Sequence, residues 1–409
     1  MPYADGINRI IVLAEETTYG TQASGPGQII RRSNFSMDDQ RPEVPSSLIL
    51  PDAQAVDAHI GVPSLAGSIS GEAAPGTHKM IYESTCRGTW TTGVSVTGKT
   101  DTVVVTNATQ ITITSASSNF LTTGFKIGHI ARVSGATTTG APINGLNLLV
   151  TGVTATVLTC APNAAVVAWA SGQTVAITVT GKTLIMPLQA SQVHRSHSME
   201  DWSADIARSR LGLGIKFASI GLNVQPNGFV NFQASFTGKN LVRSGTRVYG
   251  SPTAESTSDG IRPVNGTVLY DRAGSAGLII AYITGFNLQI SQALQPVPTI
   301  GAVDGPVNIS GGMLGVRGSV TMMTTADDFD DDFFQQNDVE MTLLIPNSGA
   351  LGADFMSIHM SRLRLSAAQR NDSDRAIMRS YNFAAYRKST AGAGSAWANT
   401  SIILQDSLA

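Results

Sequence analysis

The sequence predicts a mainly β chain: two similar strand-rich modules, each with one short helix, and a small all-β, immunoglobulin-like domain inserted into the first. Three observations carry this reading, and the strongest is an internal echo. Phe35, Pro45, Ile49, Val56, Gly61, Gly67 and Ser68 recur as Phe286, Pro296, Ile300, Val307, Gly312, Gly318 and Ser319, each 251 residues later and without a gap. That makes seven identities over the 37 positions from 35 to 71, and neighbouring pairs such as Met37 with Leu288 and Ile69 with Val320 are conservative. Alternation is the second observation. Val230, Phe232, Ala234 and Phe236 interleave with Asn231, Gln233, Ser235 and Thr237, the period-two pattern of a strand with one face in the core and one in water. Composition is the third. Only 14% of the 409 residues are charged and 41 are Gly, with Ser and Thr abundant in every segment. Such a chain builds the polar faces of its sheets from hydroxyls and amides rather than ions.

At this length two or three domains are expected. The texture divides the chain into residues 1–92 plus 181–277, an insertion at 93–180, and 278–409. In the first module, Ile10 to Leu13, Ile29 to Arg32 and Leu65 to Glu72 read as strands. Pro75-Gly76-Thr77 is a turn leading into a short helix over 78–87. The stretch 35–62, rich in Pro and small residues, reads as a long loop. Residues 93–180 are almost free of charge and are bracketed by the near-copies Val96-Thr-Gly-Lys-Thr100 and Val179-Thr-Gly-Lys-Thr183, as expected for a β domain with adjacent entry and exit. After it, Phe229 to Thr237 is a strand bounded by Asn227-Gly228 and Gly238, and 240–277 reads as a polar loop. In the second module Phe286, Leu288 and Ile290 alternate with Asn287, Gln289 and Ser291, and 316–322 alternates again. Residues 327–336 suggest a helix in the place of the first module's helix. Met341 to Ile345, Ile358 to Leu365 and Ser380 to Tyr386 read as further strands, and 371–375 as a charged hairpin tip.

A formal net charge of -2 argues against tight nucleic-acid binding, which rests on Lys and Arg displacing counterions from phosphate. Cys86 and Cys160 fall in different domains and suggest no disulfide framework. No secretory signal is evident at the start, and no apolar run reaches the length of a transmembrane helix.

The chemical motifs favour structure over catalysis. Gly93-Val-Ser-Val-Thr-Gly98-Lys99-Thr100 matches a phosphate-binding loop, but the residues after it, Asp101-Thr-Val-Val-Val-Thr106, are β-branched and form no helix to present amide groups to a phosphate. His194 and His197 lack further ligands at zinc spacing and read as a solvated loop pair. Asp327, Asp328, Asp330, Asp331 and Asp332 read as the wet face of a helix, with Phe329, Phe333 and Phe334 on its buried side. No nucleophile elbow or Cys/His pairing appears. The expectation is therefore a non-enzyme with no catalytic residue, cofactor or metal.

The opening Ile10-Ile-Val-Leu-Ala-Glu-Glu-Thr-Thr-Tyr-Gly-Thr21 resembles the start of major tail tube proteins of long, flexible-tailed (siphovirus-type) bacteriophages. Leu65-Ala-Gly-Ser-Ile-Ser-Gly-Glu-Ala-Ala-Pro-Gly-Thr77, Gly124-Phe-Lys-Ile-Gly-His-Ile-Ala-Arg-Val133 and Ala281-Tyr-Ile-Thr-Gly-Phe-Asn-Leu288 are similar to that family in the same order. The resemblance implies modules folded as a β-sandwich or partial barrel with one flanking helix, subunits whose sheets join into one inner barrel, and rings that stack into a tube, the conduit for DNA ejection. It implies as partners further copies of the chain, a tape-measure protein during assembly, tail terminator and tail-tip proteins, and passing double-stranded DNA held without specific binding. It implies a place in the virion after assembly in the host cytoplasm, and the sequence itself shows no membrane segment. Two copies of the module in one chain give a pseudo-sixfold ring of three chains, or six chains if the echo is accidental. Asn231, Gln233 and Ser235 are the candidate lumen-facing strand. The rival reading is a non-catalytic, carbohydrate-binding β protein of a virion or cell surface.

Overall fold

The computed structural model describes all residues except 1, 2, 4, 49, 50, 52, 53, 55, 56, 108, 109, 116, 138–142, 163–168, 273–277, 280–282, 324–327, 372–376 and 390–393. Its first module comprises β1 (Arg9–Glu15), β2 (Gln28–Ile29), β3 (Asn34–Gln40), β4 (Ser64–Glu72), α1 (Lys79–Cys86), β5 (His197–Ser203), β6 (Arg208–Val224), β7 (Asn231–Gly238) and β8 (Asn240–Ser244). The first also holds the short strands Glu43–Pro45, Ala58–Ile60, Thr91–Thr92 and Lys182–Ile185, and the second repeats the main series in the same order. It runs β9 (Thr267–Arg272), β10 (Leu278–Ile279), β11 (Ile283–Val297), β12 (Asn308–Met323), α2 (Asp328–Gln335), β13 (Val339–Pro346), β14 (Phe355–Asn371), β15 (Met378–Ala385) and β16 (Ile403–Asp406).

The echo extends to the pairing register, which side-chain pattern and turn geometry must both specify. In the β3–β4 hairpin Phe35 faces Ile69 and Met37 faces Gly67; in β11–β12 Phe286 faces Val320 and Leu288 faces Gly318. Farther out, Pro45 faces Ala58 in a short hairpin and Pro296 faces Ile309. The stretch expected to be a long loop is thus a continuation of the hairpin, with Ile49 and Val56 outside the described residues. The same aromatic lies across the same glycine in each module: Phe35 stacks on Phe236 beside Gly67, and Phe286 on Phe383 beside Gly318. Both helices end on a residue of positive φ, Arg87 at 53° and Gln336 at 54°.

The second module's ladder begins earlier than expected. β9, read from the sequence as part of a polar loop, pairs along its length with β13, as β1 pairs with β5. A boundary after 277 separates that strand from its partners, which lie about seventy residues downstream. The other expected tip, 371–375, falls almost entirely outside the described residues.

Eight strands form one continuous antiparallel sheet in the order β3, β4, β7, β6, β11, β12, β15, β14. Its apolar face carries Met37, Ile69, Phe232, Phe236, Leu222, Leu288, Val320 and Phe383, all buried. These side chains belong to one core that runs through both modules and includes Ile81 and Tyr82 of α1.

The insertion is built on strands, as expected, with one short helix at Phe120–Thr123, but its six strands close into a barrel rather than forming the two open sheets of an immunoglobulin-like sandwich. It has its own core around Phe120, Phe125, Leu148 and Ile177. Entry and exit adjoin, with the Gly93 amide donating to the Gly181 carbonyl. The barrel leaves the first module yet docks on the second. Ile130, Leu149 and Ala161 pack with Leu269, Leu344 and Phe355. The Gln405 side chain accepts from the Ile130 amide at 2.8 Å and donates to the Ile130 and Thr180 carbonyls. Gln405→Ala should therefore leave several buried backbone groups unpaired and cost about 2–4 kcal/mol. An unchanged midpoint of thermal unfolding would show that the dock contributes nothing to the native fold.

Candidate assembly surface

The far face of the eight-stranded sheet is wet and built mainly of hydroxyl and amide groups, with charges that include Asp38, Glu72, Lys216, Arg317 and Arg364. Along β7, Phe232, Ala234 and Phe236 are buried, while Asn231 and Gln233 are exposed and Ser235 is half-buried. The three residues singled out in the sequence thus share the solvent face at mid-sheet, and each lies in a cross-strand row. Ser36, Ser68, Ser235, Ser219 and Ser291 stand opposite one another across five strands. Hydroxyl contacts join Ser36 to Ser68 at 3.1 Å and Ser219 to Ser235 at 2.7 Å. The next row runs Asn34, Ser70, Gln233, Gly221, Gln289 and Arg317, and a third contains Glu72, Asn231, Asn223, Asn287, Ser319 and Asn382. Ser219 and Asn223 escaped sequence reading because β6 is interrupted by glycines and a bulge after Phe217.

The modules meet edge to edge. Ser219 to Val224 of β6 pair with Phe286 to Ser291 of β11, so the second module adds its first sheet strand to the last of the first module. Side chains pin the seam. The Arg87 guanidinium donates to Gln292 Oε1 at 3.0 Å and to the Gly312 carbonyl at 2.8 Å. Lys216 Nζ donates to Asn308 Oδ1 at 3.1 Å and to the Ile309 carbonyl at 2.7 Å. Burial lowers the pKa of both cations below their ordinary values. The two outer edges of the sheet are the counterparts of the two joined at the seam. Among the described residues β3 pairs only with β4, and residues 364–371 of β14 pair only with β15.

The other singled-out motifs are absorbed by structure. The phosphate-loop pattern runs into the strand Ser95–Asn107, with no helix following it. His194 is exposed, but His197 is fully buried rather than solvated, edge-on to Phe217. The acidic helix is not simply a wet face either. Asp332 is 1% exposed and accepts from Tyr270 Oη at 2.6 Å, and Asp330 pairs with Arg379 and Tyr381. Phe334, expected inside, is 77% exposed, because the buried face of a two-turn helix has room for Asp332 and Phe333 but not for the next residue. Asp327 lies outside the described residues. Among the described residues no group of three His, Cys, Asp or Glu is placed to hold a metal, and no helix is long and apolar enough to cross a membrane.

A family model described as phage tail tube protein matches residues 6–385. The chain belongs to the phage tail tube protein family. The tube protein is a non-enzymatic structural component of the virion, and its β-rich architecture accords with that. No curated protein matches it. Among solved structures, a chain of the anti-feeding prophage baseplate, from a 6-fold symmetrised cryo-EM structure, is similar at 12% identity and a TM-score of 0.23. That similarity covers 29% of the tube protein and 86% of the baseplate chain.

Proposed function

We propose that three copies of this chain close into a pseudo-sixfold ring, and that the rings stack into the tube of a siphovirus-type tail through which DNA is ejected. The seam between β6 and β11 supports this reading. It is a head-to-tail contact between unlike edges, and repeating it joins β14 of one copy to β3 of the next. A heterologous contact repeated through a closing rotation makes a ring. Closure also covers the strand edges that otherwise invite uncontrolled pairing. In this reading the hydroxyl and amide face, with Asn231, Gln233 and Ser235, lines the lumen. DNA slides past groups that offer hydrogen bonds without a lattice of cations. The barrel at 93–180 decorates the exterior. A tape-measure protein occupies the lumen during assembly, and terminator and tail-tip proteins cap the ends.

Electron microscopy of the purified protein, averaged down the ring axis, tests this. Stacked threefold rings with six similar inner lobes are expected. Sixfold rings of six chains would overturn the stoichiometry. A closed oligomer that never stacks, even with tape-measure and tail-tip proteins present, would overturn the function.

A further inference from the structure

The internal seam shows which side chains meet when one module follows another, and the duplication carries each of them to a position at the seam between copies. From this we infer that two contacts at the junction between copies are ion pairs where the junction within the chain offers neutral acceptors, and that the third keeps its guanidinium–amide pairing with the sides exchanged. The inference rests on the ring reading above and specifies its interface.

Three contacts transfer. Within the chain Tyr82 Oη of α1 reaches Met356 Sδ at the start of β14, at 3.8 Å. The helices correspond through Arg87 and Gln336, the residues of positive φ that end them, so Asp331 of α2 stands where Tyr82 does in α1. The register of β5–β6 against β13–β14 makes Arg208 the counterpart of Met356. Asp331 of one copy therefore faces Arg208 of the next. Likewise Arg87 with Gln292 becomes Gln336 with Arg41, the donor and acceptor exchanging sides. Lys216 with Asn308 becomes Arg364 with Asp57. All six positions are exposed in the single chain.

The surroundings agree in sign. Arg208 lines a groove of about 510 Å³ together with Arg210 and Arg243. Module two carries Met356, Ile358 and Leu404 at the matching places, all within its buried core. The basic groove thus receives the acidic helix α2, Asp-Phe-Asp-Asp-Asp-Phe-Phe-Gln, and the apolar counterpart lies beside α1, Lys-Met-Ile-Tyr-Glu-Ser-Thr-Cys. Opposite charges on unlike edges also oppose closure in the wrong order, since α2 against the apolar site would bury unpaired carboxylates.

Charge exchange tests the pairing. Arg208→Asp and Asp331→Arg are each expected to raise the critical concentration for assembly by about tenfold or more. The double variant is expected to restore it, with circular dichroism confirming that every variant folds. Single variants that assemble like the parent would overturn the pairing. As a second measurement, Arg208→Cys combined with Asp331→Cys, oxidised after assembly, should give a covalent ladder ending at trimer; Cys86 and Cys160 are buried and do not compete. Assembled tubes that yield no cross-link would overturn the inference and leave the tube intact. A ladder ending at six would uphold the junction and refute the three-chain ring.

Discussion

Gly67→Ala and Gly318→Ala are each expected to lower stability by about 3 kcal/mol or more, measured by denaturant midpoint on otherwise native protein. A β-carbon at Gly67 would stand 2.2 Å from the Ser36 carbonyl oxygen and 2.5 Å from Phe236 Cζ. At Gly318 it would stand 2.1 Å from the Asn287 oxygen and 2.4 Å from Phe383 Cζ. In both modules the obstacle is backbone on one side and an aromatic ring lying across the strand on the other, an arrangement that compensates a strand glycine by covering it. Trimming the ring, as in Gly67→Ala with Phe236→Leu, should recover only part of the loss, because the Ser36 carbonyl cannot move without breaking the β3–β4 ladder. Gly221 is the internal control. It lies in the same sheet, but its nearest obstacle is 3.9 Å away, so Gly221→Ala should be nearly neutral or slightly stabilising. If Gly67→Ala proves no worse than Gly221→Ala, close approach is not what keeps these glycines.

That pair of glycines also shows why much of the fold was legible in the sequence. A residue whose β-carbon is forbidden by its cross-strand partner is constrained by local geometry, and it reappears wherever that geometry is reused. Gly67 and Gly318 are such positions; Phe35 with Phe286 and Pro45 with Pro296 hold matching register places in the same hairpins, and the echo was visible through all three pairs. Strands with one wet face were legible too: the expected 229–237 and 65–72 are observed as Asn231–Gly238 and Ser64–Glu72.

What escaped notice depends on distant partners. β5 reads His-Ser-Met-Glu-Asp-Trp-Ser and looks like a loop, yet Glu200 and Asp201 are buried in it. Glu200 accepts from the Ser209 hydroxyl and from the Val248 and Tyr249 amides, and Asp201 pairs with Arg9. Glu16 is buried in the same manner, accepting from Ser198 and from the Gly20 and Gly214 amides. A buried carboxylate is tolerated only when such donors converge on it, and no spacing rule announces donors two hundred residues away. β6 was missed for another reason. Its first half pairs with β5 and β8 and its second half with β7 and β11, so its buried positions change phase along its length. The solvent face was therefore read correctly at β7 and not at its neighbour.

Acidification is expected to unfold the protein steeply between about pH 6 and pH 4. Four histidines are buried and uncharged: His78, His129, His197 and His359. Desolvation is the largest cause in each, lowering His78 and His197 to about 4 and His129 and His359 to about 3. Neighbouring cations push the same way, Arg31 at His78, Arg195 at His197, Lys126 at His129 and Lys388 at His359. A folded pKa below the unfolded value of 6.5 means that the unfolded chain binds the additional protons. Stability is therefore complete above pH 6.5 and falls as pH drops toward the folded values. Each imidazole removes on the order of 1.4 kcal/mol per pH unit in that window. Asp406 acts in the opposite direction. Burial raises its carboxyl to about 6, so the folded state takes up a proton first and gains stability on acidification from about pH 6 to 4. One gain set against four losses leaves a net fall of about 4 kcal/mol per pH unit, enough to exhaust an ordinary folding free energy within two or three units. Calorimetry from pH 7.5 to 4.5 should show the unfolding temperature collapsing over this range, and His359→Gln should make the decline shallower by one proton's worth. His359 lowers His129 further, and both lie where the inserted barrel meets the second module, with His359 against Gly128 and bonded to Thr342. That contact should loosen first, seen as earlier hydrogen exchange at residues 127–130. An unfolding temperature flat to pH 4.5 would mean that these imidazoles are hydrated, and that the buried positions assigned to them are wrong.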